Sequence, residues 1–117
     1  MKYIVSQIKK DAKTDPRAFE AMIDGNVDSV FFLSSYQEVC EIEAGSLDEV
    51  FEIGNIGPDE KIRRFDFAPM HSISVGDVIM TETYELYAVT GVGFIRLPMS
   101  SPNGRQWTAW TADEVVA

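Results

Sequence analysis

The sequence predicts an α+β domain, a small antiparallel β-sheet laid out as a meander with two or three short helices packed on it. Two observations carry that expectation. Residues 71–97, HSISVGDVIMTETYELYAVTGVGFIRL, set a Gly76-Asp77 corner ahead of three short apolar runs: Val78, Ile79 and Met80, then the alternation of Tyr84, Leu86 and Ala88 with Glu85, Tyr87 and Val89, then residues 94–97. Short apolar or alternating runs bounded by Gly and Asp read as strands joined by tight turns, and the continuous run implies a strand covered on both faces. The second observation is capping chemistry: Asp15-Pro16 and Ser46-Leu47-Asp48-Glu49 each place a side-chain acceptor where a helix leaves backbone N–H groups unpaired.

In chain order, residues 3–8 form a first strand in which Tyr3, Val5 and Gln7 oppose Ile4 and Ile8, and residues 9–14 are a polar connector. After Asp15 as N-cap, Phe19, Met22 and Ile23 supply an apolar stripe, and Gly25 or Asn26 ends the helix. Residues 27–33 read as a short helical or irregular segment, although periodicity at this length does not separate it from a buried strand. Residues 36–44 are a strand with Cys40, Ile42 and Ala44 inward and Glu41 and Glu43 towards water. In the next helix Leu47, Val50 and Phe51 form the docking face, and Gly54-Asn55 closes it. Residues 56–70 are a loop, within which Arg63, Arg64, Asp66 and Phe67 make an irregular edge segment. Residues 98–117 are expected as a C-terminal tail packed on or extending from the domain, with a turn at Pro102-Asn103-Gly104 and a last short helix starting near Thr111. With 117 residues, no repeat and no linker, the sequence is read as one domain over 1–117.

Charge narrows the partners. The net charge is −9, and residues 18–60 hold eleven Asp or Glu and no Lys or Arg. Such a field repels phosphate backbones, so a nucleic acid is disfavoured and a protein with a basic surface is the expected partner. A single cysteine, Cys40, gives no internal disulfide, which fits a reducing cytoplasm, and no stretch reads as a signal peptide or membrane span.

The order Tyr36-x-x-Val39, Ser46-Leu47-Asp48-Glu49-Val50-Phe51, then Met70-His71-Ser72-Ile73-Ser74-Val75-Gly76-Asp77-Val78-Ile79, then Tyr87 and Gly93-Phe94 resembles the YodL-like family of small bacterial, plasmid and phage proteins. The resemblance covers roughly residues 36–96 and departs at Gly76, where the family often has Ser, in the longer acidic middle, and in the Trp-bearing end. It implies an accessory protein of a mobile element with no catalytic residues to carry over.

No catalytic, cofactor or metal residue is assigned from the sequence. His71, Ser72, Ser74 and Asp77 contain the letters of a hydrolase triad, but neighbours on one strand entry do not converge as a triad must; His71 is expected to be structural. One His and one Cys offer no zinc spacing, and Gly91-x-Gly93 lacks the rest of a dinucleotide fingerprint. The partner-binding candidates are Glu41, Glu43, Asp48 and Glu52 in the acidic stretch, and Trp107 and Trp110 near the end. Each has a plainer reading, a solvated charged face for the carboxylates and core packing for the tryptophans. The function expected is therefore a non-enzymatic accessory protein of a phage or plasmid that binds a host protein through an acidic surface. The alternatives are a small hydrolase or transferase using His71 and Asp77, or a regulatory nucleic-acid binder in which the N-terminal lysines merge with Lys61, Arg63 and Arg64.

Overall fold

A computed structural model describes residues 1–66, 69–103 and 106–109, from residue 99 onwards by the backbone alone. The strands are β1 (Lys2–Ile8), β2 (Tyr36–Glu43), β3 (Ile62–Arg64), β4 (Val78–Met80), β5 (Glu85–Val89), β6 (Phe94–Asn103) and β7 (Gln106–Ala109). They form one antiparallel sheet in the order β3-β2-β1-β4-β5-β6-β7. Three helices, α1 (Pro16–Asp24), α2 (Ser29–Ser35) and α3 (Leu47–Asn55), lie against it, so the α+β class and the meander of residues 78–97 are as the sequence implied. β1 sits centrally, joining the β2-β3 pair to the meander through β4. Its register on β2 shifts between Val5 and Ser6, so Val39 bulges out and both it and Cys40 enter the same core cluster.

Both faces of the sheet are covered. On one, α1 and α2 bury Ile4, Ile8, Val78, Met80, Leu86, Ala88 and Leu97 with Phe31 and Phe32; on the other, α3 and Ile73 bury Tyr3, Val5, Ile42, Ile79 and Val89. This explains the unbroken apolar run of β4, which has a core on either side.

α1 docks by a different face from the one its large residues suggested. Phe19, Met22 and Ile23 are 64, 43 and 61% exposed, whereas Ala18 and Ala21 are fully buried. The reason is close approach. A Cβ on Gly25, at the α1 C-cap, would lie 2.6 Å from the Val89 carbonyl oxygen, and one on Gly76 would lie 2.6 Å from that of Ala21. Small side chains bring the helix backbone down onto the sheet, and bulky ones on that side would hold it away. In α3 the buried positions are Val50 and Ile53, with Leu47 half-buried and Phe51 turned outwards. The capping box is present: Ser46 Oγ accepts from Glu49 N–H at 3.2 Å, although the Glu49 carboxylate reaches back to Gly45 N–H rather than to Ser46.

Residues 27–33 resolve as the start of α2, capped by Asp28, whose carboxylate accepts from Val30 N–H. The expected edge segment is β3, paired with β2; Phe67 lies outside the described residues. Within the expected tail, residues 98–103 belong to β6 and β7 pairs antiparallel with it, Asn103 opposite Gln106, so this part extends the sheet; Gly104 of the expected turn lies outside the described residues. The helix expected near Thr111 lies outside the described residues.

Candidate functional site

Residues 70–77 fold over the end of β1 and are tied there by one buried side chain. Gln7 is 2% exposed; its Nε2 donates to the His71 carbonyl and to Asp77 Oδ2, each at 2.9 Å, and its Oε1 accepts from His71 N–H at 3.2 Å. All of its principal hydrogen-bonding capacity is thus used, which is what a fully buried amide requires. Asp77 Oδ2 also accepts from Ser74 N–H at 3.0 Å, while Asp77 N–H donates to the Ser74 carbonyl. From the other side the Tyr36 hydroxyl donates to the Gly76 carbonyl. Gly76 itself has φ +95°, a conformation L side chains rarely adopt.

The electrostatics follow from this burial. Removal from water pushes the Asp77 carboxyl up to about 6, against the lowering pull of the Ser74 and Gln7 donors and of His71 and Lys13. Burial, and then Asp77, raise the Tyr36 hydroxyl well above the usual phenol range, so it stays a neutral donor.

No hydrolytic triad is assembled. His71 Nδ1 lies 2.7 Å from the Ser72 carbonyl. A carbonyl only accepts, so Nδ1 carries the proton, and its 3.3 Å approach to Gln7 Nε2 is a contact between two donors. The Asp77 carboxylate is held by Gln7 and the Ser74 amide instead of by the imidazole. His71 is exposed, and its main-chain groups, rather than its ring, are what Gln7 grips.

Two adjoining clefts open beside this knot, each of about 270 Å³ and sharing Ile8, Lys13 and His71. The first is completed by Gln7, Lys9, Lys10, Gln37, Val39, Pro69 and Met70. The second runs over Met22, Ser74, Val75 and Asp77.

The acidic candidates do not share one face. Glu41 and Glu43 stand with Lys2, Glu60, Lys61 and Arg63 around a separate surface depression. There Glu41, only 15% exposed, pairs with Arg63 at 3.0 Å, a departure from the water-facing position expected of it, and Glu43 pairs with the terminal amine at 3.0 Å. The amine holds the Glu43 carboxyl below its ordinary range. Asp48 and Glu52 lie on α3, which packs on the sheet face that Ile42 joins and from which alternation turns Glu41 and Glu43 away. Both are exposed, and no ion pair among the described residues uses them. Trp107 falls on β7, and Trp110 lies outside the described residues. The basic groups stay apart as well: Lys61 neighbours Lys2 and Glu43 at one end of the β1-β2 ladder, whereas Lys9, Lys10 and Lys13 surround its other end. Arg63 and Arg64 are paired with Glu41 and Asp59.

Among the described residues no three His, Cys, Asp or Glu side chains gather as metal ligands, and no helix is long and apolar enough to cross a membrane. Sequence reading missed Gln7 as the centre of the knot; its signal was a polar residue at an inward position of a strand alternation. The N-terminal lysines, weighed in the sequence only as part of a basic patch for nucleic acid, line a cleft with His71 instead of joining Lys61, Arg63 and Arg64. Compared with family models, curated proteins and solved structures, the chain matches none. At Gly76, where YodL-like proteins often carry Ser, a Cβ would meet the Ala21 backbone unless α1 moved.

Proposed function

We propose that the protein is a non-enzymatic binding module that engages a partner protein of basic surface through the outer face of α3. The observation that carries this reading is the composition of that face. Asp48, Phe51, Glu52 and Ile56 recur at helical spacing, and Phe51 and Ile56 are 38 and 84% exposed between carboxylates that make no ion pair with a described residue. Glu52 sits in the last turn of a helix that has no basic residue there, a placement the helix dipole disfavours. Apolar anchors ringed by one sign of charge suit recognition of a complementary surface. A second reading places the contact on α1, where Phe19, Met22 and Ile23 are exposed beside Glu20 and Asp24. A bacterial cytoplasm and an origin in a phage or plasmid follow from the resemblance of residues 36–96 to YodL-like proteins, and Cys40, which is buried and free, is consistent with a reducing compartment.

The test is capture from a bacterial lysate followed by measurement on the purified pair. On this reading affinity falls steeply as salt rises, and the double variant Asp48→Lys/Glu52→Lys weakens it at least roughly tenfold, the effect of about 1.4 kcal/mol. Loss of binding in Phe19→Ser/Ile23→Ser, with the α3 variant unaffected, transfers the contact to α1. Binding indifferent to salt and to both variants ends the proposal.

A further inference from the structure

The lysines around the His71 cleft are distributed differently from the arginines. Every arginine among the described residues is paired with a carboxylate: Arg17 with Asp15, Arg63 with Glu41, Arg64 with Asp59 and Arg96 with Glu85. Lys9, Lys10 and Lys13 enter none of the ion pairs among those residues, although the chain carries nineteen Asp and Glu. All three line one cleft, together with the exposed His71. Lys9 Nζ reaches the Ser34 carbonyl at 3.4 Å, a neutral acceptor that leaves its charge uncompensated. Asp11 borders the neighbouring depression with Lys9 and Lys10, and the buried Asp77 feels Lys13, but neither closes an ion pair with them; three cations lining one cleft repel one another, and an anion relieves that repulsion.

The rest of the wall narrows the ligand. Ile8, Val39, Pro69 and Met70 give the cleft a mainly apolar lining, and Gln37 adds an amide. Its back is rigid, because Gln7 is buried and fully bonded to residues 71 and 77. His71 Nδ1 is committed to the Ser72 carbonyl, so the ring faces any ligand in a fixed tautomer. Lysines act as compact charges and bind phosphate well, and three of them on one cleft match the roughly two negative charges of a phosphate monoester better than the single charge of a carboxylate. A volume of about 270 Å³ is of the size that receives a small molecule. The net charge of −9 does not forbid an anion here, since charges farther away than roughly 8 Å are largely screened at physiological salt. α3 follows the far end of β2 from Gln37.

We propose that this cleft binds a small organic phosphate, its phosphoryl group among Lys9, Lys10 and Lys13 and its apolar body against Ile8, Val39 and Met70. The site is separate from the α3 face, and the two stand or fall independently.

Amide NMR titration of the full chain tests it, with inorganic phosphate, adenosine 5′-monophosphate and adenosine as probes. The expected result is saturable shifts at residues 7–13 and 69–72 with the nucleotide, weaker shifts at the same amides with inorganic phosphate, and none with adenosine. Lys10→Ala/Lys13→Ala, whose spectrum reports whether the fold is kept, weakens nucleotide binding at least roughly tenfold. Asp48→Lys/Glu52→Lys binds the nucleotide as the natural chain does. The proposal is overturned by the absence of shifts at millimolar nucleotide, by adenosine binding as tightly as its phosphate, or by a folded double-lysine variant that binds unchanged.

Discussion

Gln7 and Asp77, seventy positions apart in the chain, meet in the core: Gln7 Nε2 donates to Asp77 Oδ2 at 2.9 Å, and the two residues are 2 and 3% exposed. Through this bond the central strand β1 determines where the residues before β4 lie. The polar contact and the apolar cores on either side of it therefore specify the same arrangement.

Replacing Gln7 with leucine leaves Asp77 with one donor fewer and strands the His71 main chain. The expected loss is about 3 kcal/mol, since buried polar groups deprived of partners cost roughly 1–3 kcal/mol each. By contrast His71→Gln, which keeps the main-chain groups that Gln7 holds, is expected to cost under about 1 kcal/mol, in the range of surface substitutions. Urea unfolding of the two variants checks the contrast; equal midpoints would show that the ring, not the backbone, does the holding.

Asp77 makes the stability depend on pH in the direction opposite to a paired carboxylate. Its pKa is raised from 3.8 to about 6 on folding, so between those values the folded state binds more protons than the unfolded one. Stability from this group therefore falls as pH rises through the window and recovers on acidification towards pH 4. Asp77→Asn, whose side-chain oxygen still accepts from Gln7 and Ser74, removes the dependence. Urea midpoints measured across the window decide it: identical pH slopes for the two proteins would rule the raised pKa out. Asp15 works the other way, its carboxyl held down at about 2 chiefly by the Arg17 side chain, so its contribution is lost only as pH falls through that range.

Gly76→Ala is expected to destabilise by about 2 kcal/mol or more, combining a strained positive φ with a clash against the Ala21 backbone. Exchange of the α1 amides with solvent should accelerate in this variant, because the helix must lift to admit the methyl. A Gly76→Ala protein as stable as the original would mean that α1 shifts freely.

Cys40 is fully buried, and its thiol is pushed up to about 12, chiefly by loss of water. The native protein should resist a thiol reagent at neutral pH and react at once in denaturant. Rapid native modification would place Cys40 in a segment that opens.

Strands were the most legible part of the sequence, because alternation and corner residues are local. The α1 face was not, since hydrophobic size pointed to Phe19, Met22 and Ile23, while the docking depended on how near a backbone had to come, which only Gly25, Gly76 and the sheet jointly determine. Leu47 and Val50 were read correctly in α3, but Phe51 was taken for Ile53 because both fit a short helical period. The His71 knot escaped for a different reason. Its members come from β1 and residues 71–77, and no local pattern reports a contact across sixty-four positions. The scatter of the acidic candidates was hidden in the same way, for Glu43 and Asp48 are close in sequence yet turn to opposite faces of the sheet.

β3 ends the sheet with only three residues, two of them arginines. Arg63 is pinned between Glu41 at 3.0 Å and the Phe65 ring, whose centroid lies 5.1 Å away, and Arg64 reaches Asp59 at 2.8 Å. A foreign strand adding to this border would find a very short template and would have to crowd two charged, already engaged side chains. The border therefore resists the edge-to-edge growth that turns a β-rich protein into aggregates, and it does so with a segment that contributes little to either core.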